Sequence, residues 1–230
     1  MFMKLSIVMP CEKDRVPLLE KTLQRYSEII ESTEVEFILP SRSLTEMSAP
    51  GFNIKVIPYI YDEGVFNCSM ALNLGVKNSS YENIIITCPE VIPAPNVLKV
   101  FKEKGRGNYL CTAYDLMPDG SIGPLLVSKD FRGETPGLYF LALFKKEDIE
   151  FINGWDEGFM GGYAWEDSEY GDRFIRAGLS FEILEEALAY HQYHKRGIGD
   201  TKMYYVNETK KLKNDYNEII RPKKGLHYEK

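Results

Sequence analysis

The sequence predicts an α/β fold with a mostly parallel central sheet flanked by helices, and three observations carry that expectation. Short apolar, β-rich runs recur at residues 5–9, 35–39, 54–57 and 83–87. Between them apolar residues take up helical spacing, at Leu18, Leu19, Leu23, Tyr26, Ile29 and Ile30 and again at Met70, Leu72, Leu74 and Val76. Prolines stop the first two runs, at Pro10 and Pro40. Strands that alternate with helices build parallel sheets, and such sheets bind ligands at the carboxyl ends of their strands.

In chain order, the opening MFMKLSIVMP has too few apolar residues for a secretory core or a membrane span, and reads as the first strand. Asp14 and Pro17 are start signals for the helix that follows. After the fourth run, Pro93 and Pro95 precede a helix over residues 97–104. Strands near 109–114 and 138–144 then bracket a loop rich in glycine, proline and charge, 117–136. The stretch INGWDEGFMGGYAWEDSEYGDRFIRAG reads as loop in its glycine- and aromatic-rich first half. Its second half has helical spacing through Tyr170, Phe174 and Ile175, with a stop at Gly178. Two strands, 181–184 and 187–190, lead into HQYHKRG. The tail is amphipathic over 203–220, then turns basic and is expected to fray.

A chain of 230 residues is expected to form one large domain, here 1–200, with a C-terminal helical extension over 201–230. It carries 28 Lys and Arg against 34 Asp and Glu, a net charge of −6. Without a long basic run, such a chain is poorly suited to nucleic acid or to lying on anionic lipid. No transmembrane segment is expected, and peripheral membrane contact stays open. Cys11, Cys68, Cys88 and Cys111 form no CxxC pair, which argues against a zinc ribbon and fits free thiols in a reducing cytoplasm.

Five segments could carry chemistry. Glu166 and Asp167 of WED begin a helix, whose positive terminus favours a carboxylate acting as a base. The preceding Gly161-Gly162 loop and Trp165 could seat a sugar ring, although a helix-terminal charge cluster is the plainer account. His191 and His194 stand where a strand exits, so two neutral imidazoles could converge on a divalent metal or simply sit at the surface. Glu90, in TCPEVIP directly after the fourth strand, could add a carboxylate to that metal or be an exposed turn residue. PCEKDR (with Pro10, Glu12 and Arg15) and FNCSMALNLG (with Asn67) lie where a nucleotide could bind. Each could equally be a plain loop or a buried helix.

Together and in order, these segments resemble the inverting glycosyltransferases of the GT-A fold. The resemblance is greatest to the β-1,4-galactosyltransferase and chondroitin-synthase-like group, with family 2 behind it. It spans about residues 4–196, and INGW…WED is its most specific part. It implies a Rossmann-like GT-A domain with a nucleotide-binding half, 1–92, and an acceptor-binding half, 93–200. Asp167 then falls on the catalytic base, and Glu166 on its acidic neighbour that holds the acceptor beside Gly161, Gly162 and Trp165. Pro10, Glu12, Arg15, Asn67 and Glu90 fall on the donor side. Glu90, His191 and His194 fall on ligands of Mn²⁺ or Mg²⁺, with imidazoles favouring Mn²⁺.

The implied activity is transfer of a Gal-, GalNAc-, Glc- or GlcNAc-type sugar from a UDP-sugar donor to a saccharide acceptor, as in polysaccharide biosynthesis. Three positions depart from the pattern: Cys88 stands for the first acid of DxD, Cys68 for an arginine, and Pro40-Ser41-Arg42-Ser43 for an acidic motif. A catalytically silent sugar- or nucleotide-binding protein and a metal-independent transferase are the alternatives. A nucleotidyltransferase would carry a glycine-rich loop after the first strand, which PCEKDR lacks.

Overall fold

The computed structural model describes residues 3–30, 33–60, 66–127, 140–159, 164–195 and 201–227. Gly161 and Gly162 lie outside the described residues. In order, the strands are β1 (Lys4–Val8), β2 (Glu34–Ser41), β3 (Asn53–Pro58), β4 (Asn83–Ile86), β5 (Val91–Pro93), β6 (Tyr109–Leu116), β7 (Ile122–Val127), β8 (Ala142–Lys145) and β9 (Glu182–His191). The helices are α1 (Val16–Ile29), α2 (Cys68–Lys77), α3 (Val97–Lys104), α4 (Lys146–Phe151), α5 (Glu166–Arg176) and α6 (Thr201–Tyr216).

These strands make one mixed sheet in the order β3-β2-β1-β4-β8-β6-β9-β5, with β7 paired to β6. Side chains alternate across it. Leu5, Ile7, Phe37 and Ile85 share one core with Leu19, Leu23 and Tyr26 of α1 and Phe101 of α3. Val8, Ile38, Ile84 and Ile86 share the other with Leu72 of α2, Ile149 of α4 and Tyr170 and Phe174 of α5.

The expectation of a mostly parallel sheet holds for β3-β2-β1-β4 and stops there. Beyond β4, the pairs β4-β8, β6-β8, β6-β7 and β5-β9 are antiparallel, while β6-β9 is parallel. In the second half, connections through both helices and turns bring strands back in either direction. One such turn, Met117-Pro118-Asp119-Gly120, has Gly120 at φ 83° and makes β6 and β7 a hairpin where the sequence suggests only loop. The two strands expected at 181–184 and 187–190 are one strand, β9. It bulges between Leu184 and Leu188, which pair with the adjacent Cys111 and Thr112 of β6.

The tail does not fray through residue 227. Asn153, in the left-handed region at φ 63°, ties it down. Its side-chain amide donates to the carbonyls of Pro222 and His227, and its Oδ1 accepts from the His227 amide at 2.7 Å. Leu226 is thereby buried in the second core. The INGW segment therefore serves the fold directly: Trp155 is fully buried and stacks on Tyr170 at 4.3 Å between ring centroids.

Beside it, Glu169 and Arg173 of α5 form a fully buried pair at 2.8 Å, and Arg173 also donates to the carbonyls of Ile152, Gly154 and Ile220. Removing one partner of such a pair costs about 3–5 kcal/mol, so these contacts hold α5 rigidly beneath whatever its N-terminus carries.

Candidate active site

The parallel strands β1, β2 and β4 end together, and the loops that leave them line a cavity of about 680 Å³, within the range of small-molecule sites. Pro10, Glu12, Arg15 and Glu90 line it, joined by Arg42 and Phe66. Glu12 secures the rim, its carboxylate accepting from the Arg42 backbone amide at 3.1 Å and from the Ser43 hydroxyl at 2.7 Å. The Arg42 guanidinium lies 5.7 Å above the Phe66 ring. Asn67 departs from expectation. It is buried, its Oδ1 caps α2 by accepting from the Met70 amide, and its Nδ2 donates to the Glu157 carbonyl. Its amide is committed to the fold, so it does not face a donor.

Glu90, which lines this cavity, meets His191 and His194 of a neighbouring pocket of about 420 Å³, with one ligand atom from each lying within 4.8 Å of the others. The juxtaposition is built by backbone pairing. Val91 of β5 is in register with His191 of β9, and the Gln192 amide donates to the Glu90 carbonyl at 2.8 Å. The Gln192 side chain is buried against Leu18 and Thr22 of α1, which brings His194 back towards Glu90 after the strand ends. His194 Nε2 is 3.7 Å from the Glu90 carboxylate and is buried without a hydrogen-bond partner among the described residues.

Asp115, at the end of β6 and in register with His191, accepts from His191 Nδ1 at 2.8 Å. That bond fixes the ring and leaves Nε2 as its free lone pair, the arrangement that metal-binding imidazoles use. Burial also lowers the His191 pKa, which keeps the ring neutral. A carboxylate and two imidazoles, one of them with an orphaned Nε2, fit a divalent transition metal. Arg15 completes the cluster, its guanidinium donating to His194 Nδ1 at 2.8 Å. Sequence reasoning missed Asp115, because nothing in its local sequence connects it to a histidine 76 positions away.

The second carboxylate cluster begins α5. Ala164 and Trp165 precede it in the left-handed region, at φ 63° and 78°. For non-glycine residues that conformation costs of order 1–3 kcal/mol each, and such strain concentrates at functional sites. Trp165 Nε1 and Glu166 Oε2 are buried without partners among the described residues, a donor and an acceptor suited to hydroxyl groups. Asp167 accepts from the Ser168 amide at 2.7 Å. The two clusters share one electrostatic neighbourhood. Burial raises the thiols of Cys68 and Cys88 well above their ordinary pKa, and Glu90, Glu166 and Asp167 all push both further up. Cys88, a thiol held protonated by this burial and charge, packs against the first core and lines the cavity beside Glu90.

Burial, aided by the Asp167 charge, raises Glu166 from 4.5 to about 7. The folded chain therefore holds a proton that the unfolded chain gives up at lower pH, and stability falls as pH rises between those two values. Glu166→Gln is expected to remove this fall, measured as Tm against pH. Parallel profiles for the two proteins would show that Glu166 is not desolvated.

A sequence model described as the N-terminal domain of galactosyltransferase matches residues 137–195, which include WED and both histidines. No curated protein matches. Among solved structures, the chain is similar to a mannosyltransferase, PcManGT, from Pyrobaculum calidifontis in complex with GDP-Man and Mn²⁺. Identity is 16% and the TM-score 0.61, over 98% of this chain and 66% of that one. It is similar to S. aureus TarS at 13% identity and TM-score 0.67, over 94% of this chain and 40% of that one. A mutant Drosophila β-1,4-galactosyltransferase 7 with manganese, UDP-Gal and xylobiose matches at 15% identity and TM-score 0.51, over 79% of this chain and 64% of that one. The chain thus spans less than two thirds of the length of these structures. Its fold is that of the GT-A glycosyltransferases.

Proposed function

We propose that the chain is an inverting glycosyltransferase, moving a hexose from a UDP-sugar to a saccharide acceptor with the help of Mn²⁺. The observation that carries this reading is the meeting of His191 and His194 with Glu90, itself on the wall of a nucleotide-sized cavity, in the electrostatic neighbourhood of the Glu166 and Asp167 carboxylates. The galactosyltransferase sequence model matches the segment holding WED and the histidines, and the galactosyltransferase similar in fold holds UDP-Gal, which together favour a UDP-linked donor.

In this reading Glu90, His191 and His194 hold the ion, with Asp115 orienting His191. When bound, Mn²⁺ supplies positive charge against the diphosphate leaving group. Pro10, Glu12, Arg42 and Phe66 enclose the nucleotide end of the cavity. Arg15 cannot keep its bond to His194 Nδ1 when that ring is a neutral ligand through Nε2, because Nδ1 then carries the proton. The Lys195 carbonyl, 3.1 Å from Nδ1, is the acceptor that remains. Arg15 is thereby freed to pair with a phosphate oxygen in the same cavity. On the acceptor side, Trp165 and Glu166 orient the sugar, and Asp167 takes the proton from the hydroxyl that attacks the anomeric carbon opposite the diphosphate. Fixing two substrates in line supplies much of the remaining acceleration.

The test is release of UDP from a panel of UDP-sugars, with and without a saccharide acceptor and Mn²⁺. Acceptor-dependent turnover supports the reading. Saturable donor binding with no turnover across the panel would replace it with a sugar-nucleotide-binding protein.

A further inference from the structure

α6 is packed inside out. A helix on a globular protein normally turns apolar residues inward and polar ones outward. In α6 the buried residues are Asn207 and Lys211, whereas Tyr205, Val206, Leu212 and Tyr216 are exposed, Tyr216 to 88% and Leu212 to 62%. Tyr205, Leu212 and Tyr216 recur every two or one helical turns and form a single outward stripe. The inner face is satisfied without them: Lys211 pairs with Asp172 and Asp215 at 2.7 and 2.8 Å, and Asn214 donates to Glu169. The helix is therefore fixed to the body by polar contacts and by Tyr204 against the Trp165 ring, and its apolar stripe contributes nothing to that docking.

Charge follows the same geography. The whole chain is net −6, yet residues 201–230 carry eight Lys and Arg against four Asp and Glu. Lys213, Lys223 and Lys224 are exposed there, and Asp215 is neutralised by Arg176 and Lys211. Tyrosines with an apolar ring and a polar tip, flanked by lysines, are the side chains that settle at a lipid–water interface.

We infer that the outer face of α6 is a docking surface for a bilayer containing anionic lipid. A stripe of three side chains is too small for a stable dimer, which needs roughly 800 Å² per partner. It is enough for an interfacial anchor when lysines add attraction to anionic headgroups. The net acidity that argues against lipid at the level of composition resides elsewhere in the chain. Tyr204 and Lys211, on the other side of α6, contact the Trp165 ring at 5.4 and 5.9 Å, so docking would put α6 between the bilayer and the acceptor side.

The test is sedimentation of the full chain with vesicles of phosphatidylcholine alone or mixed with phosphatidylglycerol. Binding is expected only to the mixed vesicles, and it should be lost at about 0.5 M salt. The variant Tyr205→Ser/Leu212→Ser/Tyr216→Ser and the variant Lys213→Glu/Lys223→Glu should each reduce partitioning by about tenfold or more, with circular dichroism showing unchanged folding. Wild-type protein that ignores phosphatidylglycerol vesicles at low salt would overturn the inference, whatever the variants do. So would a dimer in sedimentation equilibrium that the serine variant dissociates, since the stripe would then belong to a second copy. Vesicle binding does not depend on sugar transfer, so this result and that of the transfer assay can fail separately.

Discussion

Replacing Asp167 with asparagine is expected to lower the rate of sugar transfer by about 10²–10⁴-fold, the usual worth of a general base, while UDP affinity stays unchanged. Asparagine keeps the volume and one oxygen but cannot take the acceptor's proton. Its neighbour gives the comparison its force. Glu166 is desolvated beside the Asp167 charge, and near neutral pH its carboxyl is protonated in part of the population. A neutral carboxyl donates a hydrogen bond to a sugar oxygen but accepts no proton. Glu166→Gln should therefore raise the acceptor KM and leave kcat within a few-fold, as for a residue that binds ground state and transition state alike. Steady-state kinetics of both variants decide the matter. If kcat collapses in Glu166→Gln and survives in Asp167→Asn, the two roles are exchanged. If Asp167→Asn lowers Tm as far as it lowers rate, the acidic pair is a structural cap.

Glu90→Ala and His194→Ala are each expected to weaken Mn²⁺ binding by about 100-fold or more. That exceeds the 10–100-fold loss typical when only a residue supporting a ligand is removed. Asp115→Leu should fall in that smaller range, because it frees the His191 ring without deleting a donor atom. Calorimetric titration of the metal-stripped protein with Mn²⁺ measures all three without any substrate. The ordering matters more than the absolute values: a direct ligand must cost more than its support. Unchanged Mn²⁺ affinity in Glu90→Ala would remove the metal centre from the proposal and leave a metal-independent transferase. Arg15→Gln provides a second reading of the same site, with UDP affinity falling where Mn²⁺ affinity does not.

The parts of this protein that could be read from the sequence are those governed by local rules. Alternating strand and helix periodicity marks β1, α1, β2, β3, α2 and β4, because each buries an apolar face that recurs at a fixed spacing. Glu90 and the HQYH pair were readable as candidates because strand ends are where α/β sheets place ligands. Three-dimensional pairing was needed for the rest. The β7 strand and the single, bulged β9 depend on partners in β6, and pairing register leaves no trace in one strand's own composition. Asp115 joins the site only because β6 and β9 run side by side. The contacts of Asn67 are also tertiary, its amide meeting a helix terminus and a carbonyl 90 residues away. The inward-facing polar side of α6 and its uncovered tyrosines are likewise set by what the body of the protein offers that helix. Local sequence encodes propensity and periodicity, whereas which face meets which partner is decided when distant segments compete for the same buried surface.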